Sequence, residues 1–497
     1  MFTTLQPPHG LLQFCRVMGV VITLFSSATF SSAIPYQLHP DEVTALKQID
    51  KTLTQGGQPL ELSDACTQDS EANSTSVCNC TLNLNNDSYC HITSLSLKTL
   101  NFQGKLPSEM VNLTYLKYLS LEANQFSGTI PSQLGDLVNL TDLRASDNNL
   151  SGRIPDFIGK YWSYLDRLEL YASGLQGPIP NAILSLEKLT DLFLSGNKLN
   201  GSVPDSFLKT DKNIDVSYNN FSWLPSCRDA RGINTYRSSL IKNNLSGLLP
   251  CSGIHKCPKS YRSFHVNCGG PDITSGSILY KGDGNSENNA AMMYYNQGSN
   301  WGFSNTGDFM DDNDEGPGYI LHSNYWNEPL FSTARRAAIS LTYYGYCLEN
   351  GMYTVKLDFA EIQFTDDELY KRVGKRYFDI YIQGKLEKPD FNIQKAANGS
   401  NKASIVFNAS VTDTTLEIRL YWNGKGTTCI PKRGNYGPLI SAITVCSGQR
   451  TYCPEPGEAS KIPIVVGVVT SALLLVFLVM GVICWKFYFR DKFMRER

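Results

Sequence analysis

An acidic run in the second half of the chain is the densest group of residues that could do chemistry. Its carboxylates could bind calcium or serve in glycoside hydrolysis. They belong to Asp308, Asp311, Asp312, Asp314 and Glu315. Their spacing does not match the calcium-binding loop of an EF-hand, so a solvated loop is the favoured interpretation.

A second candidate is the segment Gly424-Lys425-Gly426-Thr427-Thr428, which is similar to part of a phosphate-binding loop. It lacks the upstream glycine of that loop, and we interpret it as a hairpin turn. The chain contains neither an H-E-x-x-H nor a G-x-S-x-G segment. The sequence therefore predicts no catalytic residue, no metal site and no cofactor.

Composition excludes two broad classes of protein. The 44 Lys and Arg residues are balanced by 46 Asp and Glu residues, for a formal net charge of -2. A nucleic-acid-binding protein needs a cationic surplus. Hydrophobic residues make up 42% of the chain, which excludes an intrinsically disordered protein. The 497 residues allow two to four domains of about 100–200 residues each.

Apolar segments at both ends indicate the cellular compartment. Residues 1–33 contain an apolar stretch after Arg16 and then small residues, as in a secretory signal peptide. Residues 462–485 carry no charge over 24 positions, long enough for a helix to cross a bilayer core of about 30 Å. The cations in residues 486–497 favour a cytosolic tail. We expect a single-pass type I protein of the plasma membrane with an extracellular ectodomain.

The cysteines and glycosylation sequons agree with an extracellular location. Of 14 cysteines, 12 lie between the two apolar segments, and we predict that they form disulfides. They are Cys66, Cys78, Cys80, Cys90, Cys227, Cys251, Cys257, Cys268, Cys347, Cys429, Cys446 and Cys453. The first four could form two bridges in three ways, and the connectivity stays open. N-glycosylation is predicted at Asn73, Asn79, Asn86, Asn112, Asn139, Asn149, Asn200, Asn220, Asn244, Asn398 and Asn408.

An internal repeat organises the first half of the chain. A glycine followed by x-(Leu/Ile/Val)-Pro recurs every 24 or 25 residues, at Gly104, Gly128, Gly152, Gly177 and Gly201. A short L-x-L unit precedes each glycine, except that Ala145 replaces the second leucine before Gly152. This pattern resembles leucine-rich repeats of the plant type, which implies an α/β solenoid with a continuous parallel sheet.

Asparagines recur within these repeats and predict a hydrogen-bonded ladder. They are Asn124, Asn148, Asn197 and Asn219. An amide there can both donate to and accept from buried turn backbone groups. Ser173 replaces asparagine in mid-solenoid, where we expect a weaker ladder. Upstream, Pro40-Asp41-Glu42 followed by spaced apolar residues predicts an amphipathic helix.

The residues that alternate with the strand leucines are expected on the concave face of the solenoid. We define the concave face as the side of the parallel sheet that points away from the leucine core. Its charged and aromatic side chains favour a partner surface over a merely solvated face. The candidate ligand-binding residues are Tyr118, Arg144, Arg167, Glu169, Tyr171 and Phe193.

The pattern changes to a period of two between Tyr261 and about Cys446, which predicts a β-sandwich. The segments Phe359-Ala360-Glu361-Ile362-Gln363-Phe364 and Phe378-Asp379-Ile380-Tyr381-Ile382-Gln383-Gly384 resemble a malectin domain. The resemblance implies a jelly-roll-like sandwich with a glycan site. The aromatic pair and the aspartate of that site correspond here to Gln363, Phe364 and Tyr436, so one aromatic is kept and the acid is lost.

Together the segments resemble plant receptor-like serine/threonine kinases with a malectin-containing ectodomain, and they predict a multidomain chain. The expected order is signal peptide 1–33, N-terminal cap with the cysteine cluster 34–91, leucine-rich repeats 92–226, C-terminal cap or linker 227–260, malectin domain 261–447, juxtamembrane segment 448–461, transmembrane helix 462–485 and cytosolic tail 486–497. The twelve residues of that tail hold none of the motifs of phosphoryl transfer, so we expect no kinase activity.

Three functions fit this organisation. The first is a receptor-like protein that binds a peptide, protein or glycan ligand and signals only through receptor-kinase partners, as a co-receptor or a decoy. The second is a truncated form of a receptor kinase. The third is a membrane-tethered carbohydrate-active enzyme, which turnover of a glycan would distinguish from stoichiometric binding. The sequence favours binding.

Overall fold

The computed structural model describes residues 37–54, 60, 62, 76–79, 89–203, 212–222, 233–237, 257–284, 290–295, 298–309, 318–323, 328–365, 373–428, 434–448, 478–483 and 485–486. The chain divides into two compact units, Met1–Thr235 and Tyr236–Arg497. The predicted signal peptide and nearly all of the predicted juxtamembrane segment and cytosolic tail lie outside the described residues.

The first unit is a stack of short parallel strands. Its strands are β1 Gln37–Leu38, β2 Ser76–Asn79, β3 Tyr89–Ser96, β4 Gln103–Lys105, β5 Tyr118–Ser120, β6 Gln125–Gly128, β7 Asp142–Arg144, β8 Asn149–Leu150, β9 Arg167–Glu169, β10 Gln176–Gly177, β11 Asp191–Phe193, β12 Lys198–Ser202, β13 Asn213–Asp215, β14 Asn220–Ser222 and β15 Ile233–Asn234. The main sheet has the order β1-β3-β5-β7-β9-β11-β13-β15, with β2 antiparallel to β3. Since β15 pairs with β13, the sheet continues past residue 226, the predicted end of the repeats.

A second layer of strands and short helices completes each repeat. The strands form the sheets β4-β6-β8 and β10-β12-β14. The helices are α1 Pro40–Thr54, 3₁₀ helices at Ser108–Asn112 and Ser132–Asp136, α2 Phe157–Tyr161 and α3 Asn181–Leu184. Helix α1 confirms the predicted amphipathic helix, because Leu46, Ile49 and Leu53 are buried in the leucine core. The strand leucines of successive repeats pack in that same core, as one repeat alone could not bury them.

The asparagine ladder is confirmed by its hydrogen bonds. The Asn124 Oδ1 atom accepts from the backbone N–H groups of Leu100 and Phe102 at 3.2 and 3.0 Å, and its Nδ2 atom donates to Leu97 O at 2.7 Å. At the exceptional position, the Ser173 hydroxyl donates toward Ala145 O at 2.9 Å. The residue before each ladder position has a left-handed backbone, with φ between 48° and 68°. These residues are Thr99, Ala123, Asp147, Ala172, Gly196 and Tyr218.

The second unit is a sandwich of two six-stranded sheets, as predicted. Its strands are β16 Ser263–Asn267, β17 Ile273–Ser275, β18 Ile278–Gly282, β19 Met292–Tyr295, β20 Trp301–Thr306, β21 Ile320–His322, β22 Thr333–Arg336, β23 Ser340–Gly345, β24 Gly351–Ala360, β25 Phe378–Ile382, β26 Lys385–Phe391, β27 Lys402–Val411, β28 Leu416–Tyr421, β29 Leu439–Ile440 and β30 Ala442–Ser447. A 3₁₀ helix spans Pro329–Phe331, and α4 spans Ile393–Ala396.

The two sheets enclose one apolar core. Their strand orders are β17-β18-β16-β30-β24-β27 and β19-β20-β23-β28-β25-β26, and a smaller sheet has the order β21-β22-β29. Core residues come from strands of both large sheets, for example Val355 of β24 and Ile418 of β28. Loops at the ends of these strands therefore have a rigid base on which polar side chains can be positioned.

Candidate ligand-binding face

One row of side chains crosses the concave face and is accessible to solvent. We call it the outer row: Tyr118, Asp142, Arg167, Asp191 and Asn213. Each member is the first residue of its strand, and the parallel register pairs each with the next. All five are half-buried. The repeat thus places one polar or aromatic side chain from each of five strands in line.

The next two rows of the concave face are buried. Ser120, Arg144, Glu169 and Asp215 lie in the second row, and Glu122, Ser146 and Ser217 lie in the third. The Glu122 carboxylate accepts from the Ser120 hydroxyl at 3.2 Å and from the Tyr171 hydroxyl at 3.4 Å. Burial therefore increases from the first to the last residue of each strand, so a ligand reaches the outer row first.

Ion pairs connect the outer row to the second row. The Arg144 Nε atom donates to both Asp142 carboxylate oxygens at 3.2 Å, and its Nη2 atom donates to Asp142 Oδ2 at 3.0 Å. The guanidinium also lies over the Tyr118 ring. Its Nε atom is 3.7 Å from Glu169 Oε1. The Arg167 guanidinium lies between Glu169 and Asp191, at 3.3 and 3.4 Å. These contacts hold alternating charges in fixed positions across neighbouring strands.

Burial shifts the ionisation of groups on this face. It raises the pKa of the Tyr118 phenol to about 12, although the Arg144 charge acts in the opposite direction. Burial also raises the pKa values of the Asp142 and Glu122 carboxyls above their usual range, again against the attraction of Arg144. Removing Arg144 would leave two partly desolvated carboxylates without their nearest cation.

Two of the six predicted ligand-binding residues are accessible. Tyr118 and Arg167 belong to the outer row, whereas Arg144 and Glu169 are buried in the ion-pair network. Tyr171 is 3% exposed and Phe193 is fully buried, so the prediction that these aromatics are exposed anchors is wrong. The alternation predicted the correct side of the sheet, but it did not show that Tyr171 and Phe193 are buried there. Asp142, Asp191 and Asn213 were missed as candidates.

The three predicted glycan-site residues converge at one end of the sandwich. The Gln363 Oε1 atom accepts from Arg376 Nη2 at 2.7 Å and from Arg336 Nη1 at 3.2 Å. The Arg376 guanidinium also donates to Tyr436 O at 3.0 Å and lies over the Phe364 ring. The phenyl ring of Phe364 and the phenol of Tyr436 are buried. Only Gln363 is half-exposed, so neither aromatic offers an open ring on which a sugar could stack.

A buried ion pair that sequence reasoning missed organises this end. The Arg376 Nε atom lies 2.9 Å from Glu361 Oε2, and the two side chains are 0% and 1% exposed. Nearby, Arg336 lies over the Phe309 ring and donates to Gly318 O at 3.0 Å. Arginine and glutamate at these positions carry no sequence signal of burial, because such residues usually lie at the surface.

Comparison with known proteins supports the two-part organisation. Residues 262–443 match the family model of the malectin domain, and residues 115–137, 139–161 and 188–209 match that of the leucine-rich repeat. Most of the second unit matches the malectin model, and we call this unit the malectin domain.

The relatives are plant receptor-like kinases. A probable LRR receptor-like serine/threonine-protein kinase of Arabidopsis thaliana is 49% identical over 286 residues, which are 55% of this chain and 28% of the relative. The probable LRR receptor-like serine/threonine-protein kinase RFK1 of the same plant is 44% identical over 54% of this chain and 28% of its own length. The predicted resemblance to this group is confirmed. The chain spans about 28% of the length of these relatives.

Among solved structures, the BIR3–SERK2 complex from Arabidopsis thaliana is 27% identical over 37% of this chain and 95% of that chain, with a TM-score of 0.29.

The cysteine predictions are met in part. Cys257 and Cys347 form a disulfide at the edge of the malectin domain, and Cys78, Cys90 and Cys446 are also disulfide-bonded. The prediction for Cys268 is wrong, because its thiol is free and fully buried at the end of β16. Burial raises the pKa of this thiol well above its usual value, which makes it unreactive in the folded domain. Cys66, Cys80, Cys227, Cys251, Cys429 and Cys453 lie outside the described residues.

Seven predicted glycosylation asparagines are exposed, as the modification requires. They are Asn112, Asn139, Asn149, Asn200, Asn220, Asn398 and Asn408. Asn73, Asn86 and Asn244 lie outside the described residues, as does the side chain of Asn79.

The acidic run and the segment similar to a phosphate-binding loop both contain residues that make structural contacts. Asp308 is buried and accepts a hydrogen bond from the Tyr319 hydroxyl at 2.6 Å, so it is not part of a solvated loop. The other four acids of the run lie outside the described residues. Gly424–Gly426 belongs to a loop after β28 and not to a hairpin, and Lys425 pairs with Asp390 at 2.8 Å. Among the described residues, no group of three His, Cys, Asp or Glu could hold a metal ion.

The predicted membrane span lies mostly outside the described residues. Residues 478–483 and 485–486 are helical, and their large apolar side chains are exposed. Within the described part of the chain, no helix has both the length and the apolar character needed to span a bilayer.

Proposed function

We propose that this chain is a receptor-like protein of the plasma membrane, single-pass and type I, whose leucine-rich repeats bind an extracellular peptide or protein ligand. The outer row of the concave face carries this proposal. Its five members present a phenol, two carboxylates, a guanidinium and an amide from consecutive strands. Such a row can recognise a partner by both charge and hydrogen bonding.

The dimensions of the outer row suit an extended peptide. Neighbouring strands lie about 4.8 Å apart, so five members span about 19 Å. An extended chain covers that distance with about six residues at 3.3 Å each. The ion pairs of Arg167 with Glu169 and Asp191 already order the row. Binding therefore costs less side-chain entropy than it would on a surface of free lysines or glutamates.

The proposed mode of action is association with a receptor kinase, either as a co-receptor or as a decoy. The relatives named above are receptor-like kinases, and a shared ectodomain organisation supports a shared ligand or a mixed complex. The proposal includes no catalytic activity. It does not extend to a glycan at Gln363, because the rings beside that residue are buried.

The test removes the Arg167–Asp191 ion pair from the outer row. Arg167→Met combined with Asp191→Asn deletes one positive and one negative charge, and Glu169, which also loses its contact with Arg167, keeps the Arg144 guanidinium at 3.7 Å. A matched control deletes the exposed pair of Lys160 and Asp156, 3.9 Å apart on α2 and the residue before it, with Lys160→Met and Asp156→Asn. Full-length tagged chains are co-expressed in plant cells with full-length RFK1 or the 49% identical kinase.

We expect the kinase to co-precipitate with the wild-type chain and with the control, and at least tenfold less with the outer-row variant. A tenfold loss corresponds to about 1.4 kcal/mol of binding free energy. Equal capture of all three chains would reject the outer row as the contact. Failure of the wild-type chain to capture either kinase would reject the proposed partners.

A further inference from the structure

A polar groove lies on the flank of the first unit, away from the concave face. Its volume is about 390 Å³, and strands β4, β6 and β8 with the adjoining turns form its walls. The lining residues are Gln103, Gly104, Asn124, Gln125, Ser127, Asp147, Asn148 and Asn149. Every side chain in this lining is an amide, a hydroxyl or a carboxylate, so the groove suits a ligand made of hydrogen-bonding groups.

Some of these polar groups are already used by the fold. The side-chain amides of Asn124 and Asn148 are committed to the ladder, since each donates to backbone carbonyls and accepts from backbone N–H groups. Gln125 Nε2 donates to Asn101 Oδ1, which leaves Gln125 Oε1 as an acceptor. Among the described residues, the side chains of Gln103 and Asn149 form no hydrogen bond and remain available to a ligand.

Asp147 is the exceptional member of the lining. It occupies the left-handed position of its repeat, with φ of 53°. Its side chain is exposed in the groove, and among the described residues its carboxylate forms neither a hydrogen bond nor an ion pair. Partial desolvation raises the pKa of this carboxyl. An unpaired carboxylate beside amides, in a lining that is mostly polar and has no aromatic side chain, matches the hydroxyl and acetamido groups of a sugar.

The groove lining contains an attachment site for a sugar. Asn149-Leu150-Ser151 is an N-glycosylation sequon, and the Asn149 side chain is exposed at the wall of the groove. An N-glycan begins with N-acetylglucosamine joined to the side-chain amide nitrogen, so its first sugars start at the groove itself. We propose that the groove holds the first sugars of an N-glycan attached to Asn149 of the same chain, with Asp147 and Gln125 as their hydrogen-bond partners.

Because the glycan is covalently attached beside the groove, weak contacts are sufficient to keep its first sugars bound there. A ligand joined by a short flexible linker reaches an effective concentration in the millimolar range. Two or three hydrogen bonds to Asp147, Gln125 and Gln103 then hold sugars that would not bind detectably from solution.

The chain offers a matched control site. Asn220 follows the ladder residue Asn219 in its own repeat, as Asn149 follows Asn148, and it is also an exposed sequon asparagine on a short second-layer strand. Asn220 is not part of the groove lining, and Tyr218 stands where Asp147 stands in the groove repeat. The two glycans therefore share their local backbone but differ in the groove.

The experiment compares the release of the two glycans from the native chain. The full-length chain is produced in cells treated with an α-mannosidase inhibitor, so that each site carries the same high-mannose glycan. Endoglycosidase H, which cuts between the first two sugars, is applied to folded protein, and glycopeptides are quantified by mass spectrometry over time. We expect release at Asn149 to be at least tenfold slower than at Asn220, and the two rates to be equal after denaturation.

Two variants connect the protection to the groove. Asp147→Gly with Gln125→Ala removes the proposed partners, keeps the left-handed position favourable and leaves the sequon intact. It should raise the Asn149 release rate to that of Asn220. Lys198→Ala, at the position of Gln125 three repeats further along, should change neither rate. Equal rates in the native wild-type chain, an unmodified Asn149, or protection that persists in the double variant would each overturn the proposal. A normal amount of protein at the cell surface and an unchanged Asn220 rate show that the double variant is folded.

Discussion

The buried ion pair of the malectin domain should be essential for that domain, and Arg376→Met tests this. The Arg376 guanidinium is enclosed by acceptors: Glu361 at 2.9 Å, Gln363 Oε1 at 2.7 Å, and the carbonyls of Tyr436 and Gly437 at 3.0 and 2.7 Å. Methionine keeps much of the apolar stem and removes every one of these donors. The Glu361 carboxylate then remains buried without its cation.

The expected cost follows from the burial of both partners. Breaking a fully buried ion pair by removing one member typically costs about 3–5 kcal/mol, because the remaining charge is uncompensated. Glu361 still accepts from the backbone N–H groups of Gln363 and Phe364, at 3.2 and 3.4 Å, which limits the loss. We therefore expect the free energy of unfolding of the malectin domain to fall by about 3–5 kcal/mol.

The free thiol of Cys268 provides an assay that is specific for this domain. It is fully buried, so a thiol reagent modifies it only when the domain opens. When closing is fast relative to labelling, the labelling rate is proportional to the equilibrium population of the open state. A loss of about 3–5 kcal/mol then accelerates modification of Cys268 by roughly two to four orders of magnitude, since 1.36 kcal/mol is a factor of ten. Mass spectrometry of the labelled peptide separates this thiol from all others.

An exposed ion pair in the same domain is the control. Arg262 Nε lies 2.8 Å from Glu349 Oε2, but these side chains are 67% and 42% exposed. Arg262→Met should cost less than about 1 kcal/mol and accelerate labelling less than about sixfold. If the reagent modifies Cys268 at the same rate in the two variants, burial does not determine the strength of the Arg376–Glu361 ion pair, and the reasoning is refuted.

Two further predictions concern the ladder and a buried imidazole. Asn197→Ala should lower the free energy of unfolding by about 2–5 kcal/mol in a urea titration, because the buried N–H groups of Ser173 and Leu175 lose their acceptor. Asn148→Ala should lower it by less, because Asn148 is half-buried. Burial lowers the pKa of His265 to about 4. Because the unfolded chain then binds the proton more tightly than the folded chain, the free energy of unfolding should fall by about 3 kcal/mol between pH 6.5 and pH 4. His265→Phe should remove that part of the pH dependence, and an unchanged acid slope would contradict the assignment.

The repeats were predictable because their signal is local and periodic. One leucine, one asparagine and one glycine of each repeat have fixed geometric roles, and the ladder bonds of Asn124 confirm the role of the amide. The left-handed residue before the ladder was not predictable, because its identity varies among Thr99, Ala123, Asp147, Ala172, Gly196 and Tyr218. The surrounding turn imposes that backbone whichever side chain is present.

Strands of the malectin domain were predictable, but their neighbours were not. The alternation in residues 353–359 and 378–382 corresponds to β24 and β25. The turn after β25 has Gln383 and Gly384 in the left-handed region, as a two-residue hairpin requires. Strand β24, however, pairs with β30, which lies far along the chain. A period of two specifies which side chains share a face, and it carries no information about which strand lies alongside.

The candidate face shows the same division between local pattern and tertiary environment. Alternation placed Tyr118, Arg167 and Tyr171 on the side of the sheet opposite the leucines, where the structure has them. Exposure, in contrast, depends on which other residues pack against each side chain. Tyr171 is an example, because it is buried and its hydroxyl donates to Glu122. The accessible outer row emerges only when the burial of each strand is known from its first to its last residue.

Gln363, a predicted glycan-site residue, has a structural role in this chain. Arg336 and Arg376 are both fully buried, and each directs a guanidinium N–H at Gln363 Oε1. An aromatic ring at this position could not accept those two hydrogen bonds in its plane, whereas the amide accepts both and donates to Asn435 Oδ1 at 2.6 Å. The amide therefore belongs to the network that satisfies the two buried arginines, which accounts for a glutamine at this position.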